Sequence, residues 1–175
     1  MIEAVVDSIR VSLVTQARVV ILKEVNGARH LPIWIGPFEA EAIAMQLQGI
    51  ESSRPLPYDL LRTVIAELGG EVTRITITEI NNDVYYARIL INARGEGVEI
   101  DSRPSDAIAL AVRVGLPIMI DNAVMDRAGV NLDDDDDDEE NSSGEPAVVS
   151  EEGLTAFRDF INTLDLDDFG NKRDN

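Results

Sequence analysis

The sequence predicts an α+β fold, a mixed α/β arrangement in which a mostly antiparallel sheet with a strand meander carries three main helices packed on it. Three observations predict it. Of the 175 residues, 45% are apolar but only 5% aromatic, so aliphatic side chains must fill the core. β-Branched runs broken by turn residues extend from Ile2 to Ile35 and again from Glu71 to Ile100. Three stretches of strong helix formers, each with Gly or Pro at a boundary, lie between and after those runs. A chain of this length fits one domain of about 100 to 150 residues plus a tail. The domain is assigned to 1–132, an acidic disordered linker to 133–150, and a tail with a short amphipathic helix to 151–175.

Ile2 to Leu13 and Arg18 to Val25 read as strands, and Asn26-Gly27 supplies a turn that pairs Val19 to Val25 with His30 to Ile35. Gly36-Pro37 stops that strand, and Phe38 to Leu47 reads as a helix with Gly49 as its stop. Pro57 and the early Asp59 mark a second helix, whose apolar stripe is Leu60, Leu61, Val64, Ile65 and Leu68. Glu71 to Ile80 and Val84 to Asn92 form a hairpin through Asn81-Asn82-Asp83, and Gly95 and Gly97 set off a short strand, Val98 to Ile100. Pro104-Ser105-Asp106 opens a third helix that Gly115 ends. A short apolar strand, Pro117 to Ile120, and a short helix, Asn122 to Ala128, complete the domain. In the tail, Leu154, Phe157, Ile161 and Leu164 recur at helical spacing, which suits a partner protein for 151–164.

The net charge of −18 is unevenly placed. Residues 133–175 hold 16 acids and 3 bases, leaving 17 acids and 12 bases, a balance of −5, for 1–132. The run Asp133 to Glu140 is eight consecutive acids and cannot pack. Long nucleic acid is therefore not attracted by global charge. Cysteine is absent, which removes disulfides, thiol catalysis and thiolate metal sites. No basic segment leads into an apolar run at the N-terminus, and no apolar stretch nears the roughly 18 to 20 residues that span a bilayer. The expectation is a cytoplasmic protein with no membrane association.

Three polar clusters fall at element boundaries, where a scaffold presents side chains to a cleft. They are Gly36 to Glu39, Arg54 to Asp59, and Asp101 to Asp106. Each has a structural reading: Glu39 and Asp59 lie in first helical turns that favour acids, Ser105 or Asp106 can be a cap, and Arg54 a surface pair. Together they have a chemical one. Arg54 and Arg103, with Ser105, suit phosphate binding, while Glu39, Asp59, Asp101 and Asp106 are candidate catalytic acids. Glu39, Asp59 and Asp106 are hard oxygen ligands of the kind that Mg²⁺ or Mn²⁺ accepts. Such a set would cleave phosphodiesters with divalent-metal assistance. The only histidine, His30, is assigned a structural place in its strand, and Gly95-Glu96-Gly97 is too short for a phosphate loop. Trp34 and the Tyr85-Tyr86 pair are read as core or interface rather than base-stacking residues.

The strings LPIWIGPFEAEAIAMQLQG, RPLPYDLL and IDSRPSDAIALAVRVGLPI, in that order, resemble the bifunctional nuclease domain family over nearly all of residues 1 to 130. The tail string FRDFINTLDLDDF is similar to the ending of many bacterial members. The resemblance implies an α/β fold, a homo-oligomer and nuclease activity on DNA and RNA. By position it marks Gly36, Glu39, Ala40, Arg54, Pro55, Asp59, Asp101, Arg103, Pro104, Ser105 and Asp106. Where many relatives have Thr-His before the Asp of the second motif, this chain has Pro57-Tyr58, so no imidazole base stands there.

Two functions follow as expectations. The first is a metal-assisted nuclease acting on short or single-stranded substrates. The second is a noncatalytic oligomeric interaction or regulatory module, in which the arginines are neutralised by their neighbouring acids. A further expectation is that the acidic run is a solvated spacer, its rival role being to occupy an Arg-lined surface.

Overall fold

The computed structural model describes residues 1–12 and 16–131. The acidic linker and the 151–164 helix expected from sequence lie outside the described residues. Eight strands form one sheet: β1 (Ile2–Val11), β2 (Arg18–Glu24), β3 (Arg29–Ile35), β4 (Gly70–Asn81), β5 (Val84–Ala93), β6 (Glu96–Ser102), β7 (Ile118–Ile120) and β8 (Val130–Asn131). Four helices accompany it: α1 (Pro37–Leu47), α2 (Pro57–Glu67), α3 (Pro104–Val114) and α4 (Asn122–Ala128).

The strand order is β6-β5-β4-β7-β1-β2-β3-β8. Two antiparallel meanders, β1-β2-β3 and β4-β5-β6, are therefore joined edge to edge by β7, which runs antiparallel to β1 and parallel to β4. The expected hairpin at Asn81 to Asp83 is present as a two-residue turn. Asn82 and Asp83 take φ of 48° and 61°, the positive pair that matches strand twist, and Asn81 pairs with Val84. Register shifts in β1 and β4 add twist at bulges. The sheet curls far enough for the Tyr85 hydroxyl on β5 to donate to the Pro32 carbonyl on β3, at 3.3 Å. Burial raises that phenol to about 12.

Helix α3 fills the hollow of the curled sheet. Ala107, Ile108, Ala109, Leu110 and Ala111 are all fully buried, the all-round burial of a central helix. The alanines let the sheet and two flanking helices approach its backbone. The inner sheet face supplies Val20, Leu22, Leu31, Ile33, Ile75, Ile77, Ala87 and Ile89 to the same core. Gly115 ends α3 at φ 71°, a left-handed stop that glycine takes without strain. Helices α1 and α2 pack on α3 from the side, and α2 contributes no fully buried residue.

Two strands differ from expectation. β6 runs from Glu96 to Ser102 rather than from Val98 to Ile100, so Asp101 stands in an edge strand and not in the entry to α3. β8 was not expected; two residues carry no periodicity, and it exists only as a pair to Arg29 and His30. His30 lies in β3 as expected, buried, with its Nδ1 unpartnered among the described residues.

Candidate functional site

The curled sheet holds α3 so that its N-terminus faces the start of α1 and the first turn of α2. Arg103 is the residue before α3 and has extended backbone, φ −68° and ψ 147°. Its side chain folds back over the first turn. Nε donates to Asp106 Oδ2 at 2.8 Å, and Nη2 donates to Asp106 Oδ1 at 2.9 Å and to Glu39 Oε1 at 2.8 Å. One guanidinium thus bridges two carboxylates from different helices. The bonds and charge of Asp106, then those of Glu39, hold the Arg103 guanidinium above its ordinary range. Its side chain remains 66% exposed, and the three bonds use Nε and Nη2.

Tyr58, in the first turn of α2, joins the cluster by donating its hydroxyl to Asp106 Oδ1 at 2.9 Å. Burial first, then that bond and the charges of Asp106 and Glu39, push its phenol well above the usual range. Tyr58 is therefore a fixed neutral donor at physiological pH. Glu39 leans over Gly36, where an added Cβ would strike the carboxylate. Glycine at 36 makes the Glu39 position possible.

The four acids expected at the site do not converge. Glu39 and Asp106 share Arg103, whereas Asp59 turns the other way. Its Oδ2 accepts the Leu56 amide at 2.8 Å, reaching back to the residue before α2 as a first-turn acid does. Its Oδ1 accepts Arg113 Nε at 2.7 Å. Burial pulls the Asp59 carboxyl up, but the Arg113 and Leu56 bonds, with the charges of Arg113 and Arg62, outweigh it and hold it below the ordinary range. Asp101 stands on β6 beside Arg88, 3.7 Å away, with both side chains largely exposed. Asp106 is no cap, since α3 has no side-chain cap bond, and Ser105 is buried under the helix start.

Arg54 lies in the loop between α1 and α2, exposed and without an ion pair among the described residues. It lines a hollow of about 500 Å³ with Arg62 and Asp59. The Arg103 cluster opens into a neighbouring hollow of about 740 Å³, and both reach Met45, Ser52 and Leu56. The two phosphate-binding candidates thus sit in adjoining depressions rather than in one.

Among the described residues no group of three or more His, Asp or Glu side chains is placed to hold a metal ion. The ligand set Glu39, Asp59 and Asp106 is therefore not assembled, because Asp59 is engaged by Arg113. Glu39 and Asp106 remain as a facing pair of hard oxygen donors with a guanidinium between them. The charges there sum to −1. Mg²⁺ commonly takes one or two carboxylates together with substrate phosphate, and Glu39 Oε2 is the one oxygen of the pair that accepts from neither Arg103 nor Tyr58.

Tyr58 and Arg113 are the members that sequence reasoning missed. The Arg113 side chain is 2% exposed; Nη1 donates to the Ala109 carbonyl at 2.9 Å, Nη2 to the Ala42 carbonyl at 3.2 Å, and its guanidinium lies 5.3 Å from the Tyr58 ring centre. It binds α1, α2 and α3 together behind the cleft. Its signal was a lone Arg within the apolar run of α3.

The family model of the bifunctional nuclease domain matches residues 20–133. An uncharacterized protein of Mycobacterium tuberculosis (strain H37Rv) is 38% identical over 169 residues, covering 95% of this chain and 97% of that protein. "Bifunctional nuclease 1" of Oryza sativa subsp. indica is 28% identical over 117 residues, 65% of this chain but 35% of its own length. "Bifunctional nuclease 1" of Arabidopsis thaliana is 28% identical over 106 residues, 58% of this chain and 33% of its own. The chain belongs to the bifunctional nuclease domain family.

Replacing Arg113 by Met takes the cation from the partly exposed Asp59 and leaves the Ala42 and Ala109 carbonyls without their donor. The expected loss is about 1–3 kcal/mol in urea denaturation at neutral pH, and an unchanged stability refutes the role assigned to this pair. Because the folded Asp59 pKa is lowered, its contribution is present above the unfolded value of about 4 and fades as pH falls through the folded value. Asp59→Asn should flatten that acid-side slope.

Proposed function

We propose that this member of the bifunctional nuclease domain family hydrolyses phosphodiester bonds of DNA or RNA at the cleft where Arg103 lies between Glu39 and Asp106. The observation that carries the reading is the exposed guanidinium of Arg103, held in place by two acids from different helices at the edge of the hollow it lines. A phosphate oxygen received there would meet the Nη1 donor of a guanidinium whose Nε and Nη2 are already fixed by Asp106 and Glu39. Arg54 and Arg62, in the adjoining hollow, suit the next phosphate along the strand. Asp59 and Ser105 support this surface from behind, and Asp101 stands apart from it.

Hydrolysis adds water across a P–O bond. The attacking water gives up a proton, and the leaving oxygen gains one. Glu39 is the base that the cleft offers: Arg103 holds its Oε1, and its Oε2 lies in the space that Gly36 leaves open. Tyr58 keeps Asp106 in place and, with its acidity lowered, does not supply the proton for the leaving oxygen, which comes from solvent. Mg²⁺ or Mn²⁺ bound at Glu39 and Asp106 with the substrate would lower the pKa of water and offset the charge deficit of the cleft.

The noncatalytic reading draws on one observation, that Arg103 and Arg113 are already neutralised by acids of the same chain. Calorimetry separates the two. The nuclease reading expects Mn²⁺ uptake in the presence of a short oligonucleotide, reduced in Asp106→Asn. No heat with or without the oligonucleotide favours the interaction module.

Partners and location follow in part. Among the described residues no helix is long and apolar enough to cross a membrane. Helix α2 exposes Leu60, Leu61, Val64 and Leu68, a stripe that we assign to contact with a second copy of the chain. Light scattering of Leu60→Glu should then show a smaller species than the wild type, and equal masses refute the assignment.

The catalytic geometry has its own test in Gly36→Ala. The Gly36 backbone, φ −70° and ψ 159°, accepts alanine, but its methyl would displace the Glu39 carboxylate from Arg103. Cleavage should fall by about tenfold or more with melting unchanged, since a positioned base contributes roughly 10²–10⁴. Undiminished cleavage removes Glu39 from the mechanism, and cleavage by the wild type equal to that of an Arg103→Ala, Asp106→Ala double variant traces the activity to contamination.

A further inference from the structure

Phe38 is the most exposed of the large apolar side chains among the described residues, at 81%. It occupies the second position of α1, directly before Glu39. The first turn of a helix favours acids and small polar residues, so neither helix propensity nor the dipole calls for an aromatic there. The ring adds nothing to the core, which α1 reaches through Ala40, Ala42 and Ile43. Single exposed apolar residues are ordinary. The place of this one is not: it forms a ridge between the 740 Å³ hollow that holds Arg103 and Asp106 and a second hollow of about 620 Å³ lined by Arg18.

We infer that the Phe38 ring is a stacking platform for one unpaired base, so that the cleft selects single-stranded nucleic acid, the base lying on Phe38 while its phosphate meets Arg103. The inference rests on the phosphodiester reading of the Arg103 cleft. Two physical points favour a single strand over a duplex. In a duplex both faces of a base are covered by neighbouring bases, and only an unstacked base can lie on an aromatic side chain. Duplex affinity also depends on neutralising many phosphates at once. Residues 1–132 carry a balance of −5, and of the arginines near the cleft Arg103 is already paired with two acids. With its nearest guanidinium already shared by two acids, such a surface gains from stacking, which tolerates any base and needs no charge.

The test measures the affinity of the full chain for three short phosphorothioate-linked ligands in the presence of Mg²⁺ by fluorescence anisotropy. These are a single strand, the same strand with abasic positions, and the same sequence as a duplex. Phe38→Ala should weaken the single strand by about 5- to 100-fold, the range for loss of one base–aromatic stack. It should leave the abasic strand unchanged, and Phe38→Trp should keep the wild-type affinity. The duplex should bind more weakly than the single strand. The inference is overturned if Phe38→Ala leaves the single strand unaffected, weakens the abasic strand equally, or if the duplex binds as well as the single strand. Arg103→Ala keeps the two readings apart. If it fails to weaken the abasic strand, or if neither strand binds the wild type, the phosphodiester reading falls and the Phe38 inference with it. If it weakens both strands while Phe38→Ala weakens neither, only the stacking inference falls.

Discussion

A guanidinium withdrawn from water inside a junction of three helices must find an anion and several carbonyls nearby, and Arg113 finds them on every helix that builds the cleft. It takes Asp59 from α2, the Ala42 carbonyl from α1 and the Ala109 carbonyl from its own helix. Helix α2 buries no residue completely, so apolar packing alone does not fix it. What fixes it is the Arg113–Asp59 pair, the donation from Arg62 Nη1 to the Arg113 carbonyl, and the Tyr58 hydroxyl on Asp106. Two of those three contacts involve Arg113. Breaking a buried pair by removing one member costs more than the pair contributes, because the survivor stays desolvated.

The same constraint sorts the acids. Asp59 is consumed in holding α2, and Tyr58, carried one residue before it, is thereby delivered to Asp106. Asp106 in turn orients Arg103, and Arg103 reaches Glu39 at the start of α1. A chain of contacts thus runs from the buried Arg113 guanidinium to the exposed Arg103 guanidinium through one tyrosine that touches both networks. The aromatic ring at 58 serves as a neutral strut rather than a base.

The parts of this arrangement governed by local rules were legible in the sequence. Asn82-Asp83 turned where the dipeptide demands positive φ, α3 ran from Pro104 to just before Gly115, and the three polar clusters stood at element boundaries as expected. The illegible parts depend on partners far apart in the chain. Arg113 and Asp59 are separated by 54 residues, and Arg103 and Glu39 by 64, so spacing along the sequence carried no information about which acid would face which arginine. β6 was underestimated because an edge strand with no buried face has no alternation to read; its residues 96–101 are all exposed. β7 inserted itself between β1 and β4, a placement decided by the meanders it joins.

On the phosphodiester reading, Arg103 is what would let a cleft lined with acids receive a phosphate. Bare, Glu39 and Asp106 would repel a phosphodiester; bridged by one guanidinium, they present a fork whose remaining edge is electropositive at contact distance, although the local sum is still −1. Attraction is then short-ranged and directional, not the long-range steering that a basic surface gives. Such a site gains little from a long duplex, whose affinity grows with the number of phosphates neutralised, and most from a ligand whose binding is shared among one oriented phosphate, one accompanying cation and one exposed base. On that reading the acidic character of the domain bears on which form of nucleic acid would suit the cleft more than on whether nucleic acid would bind there.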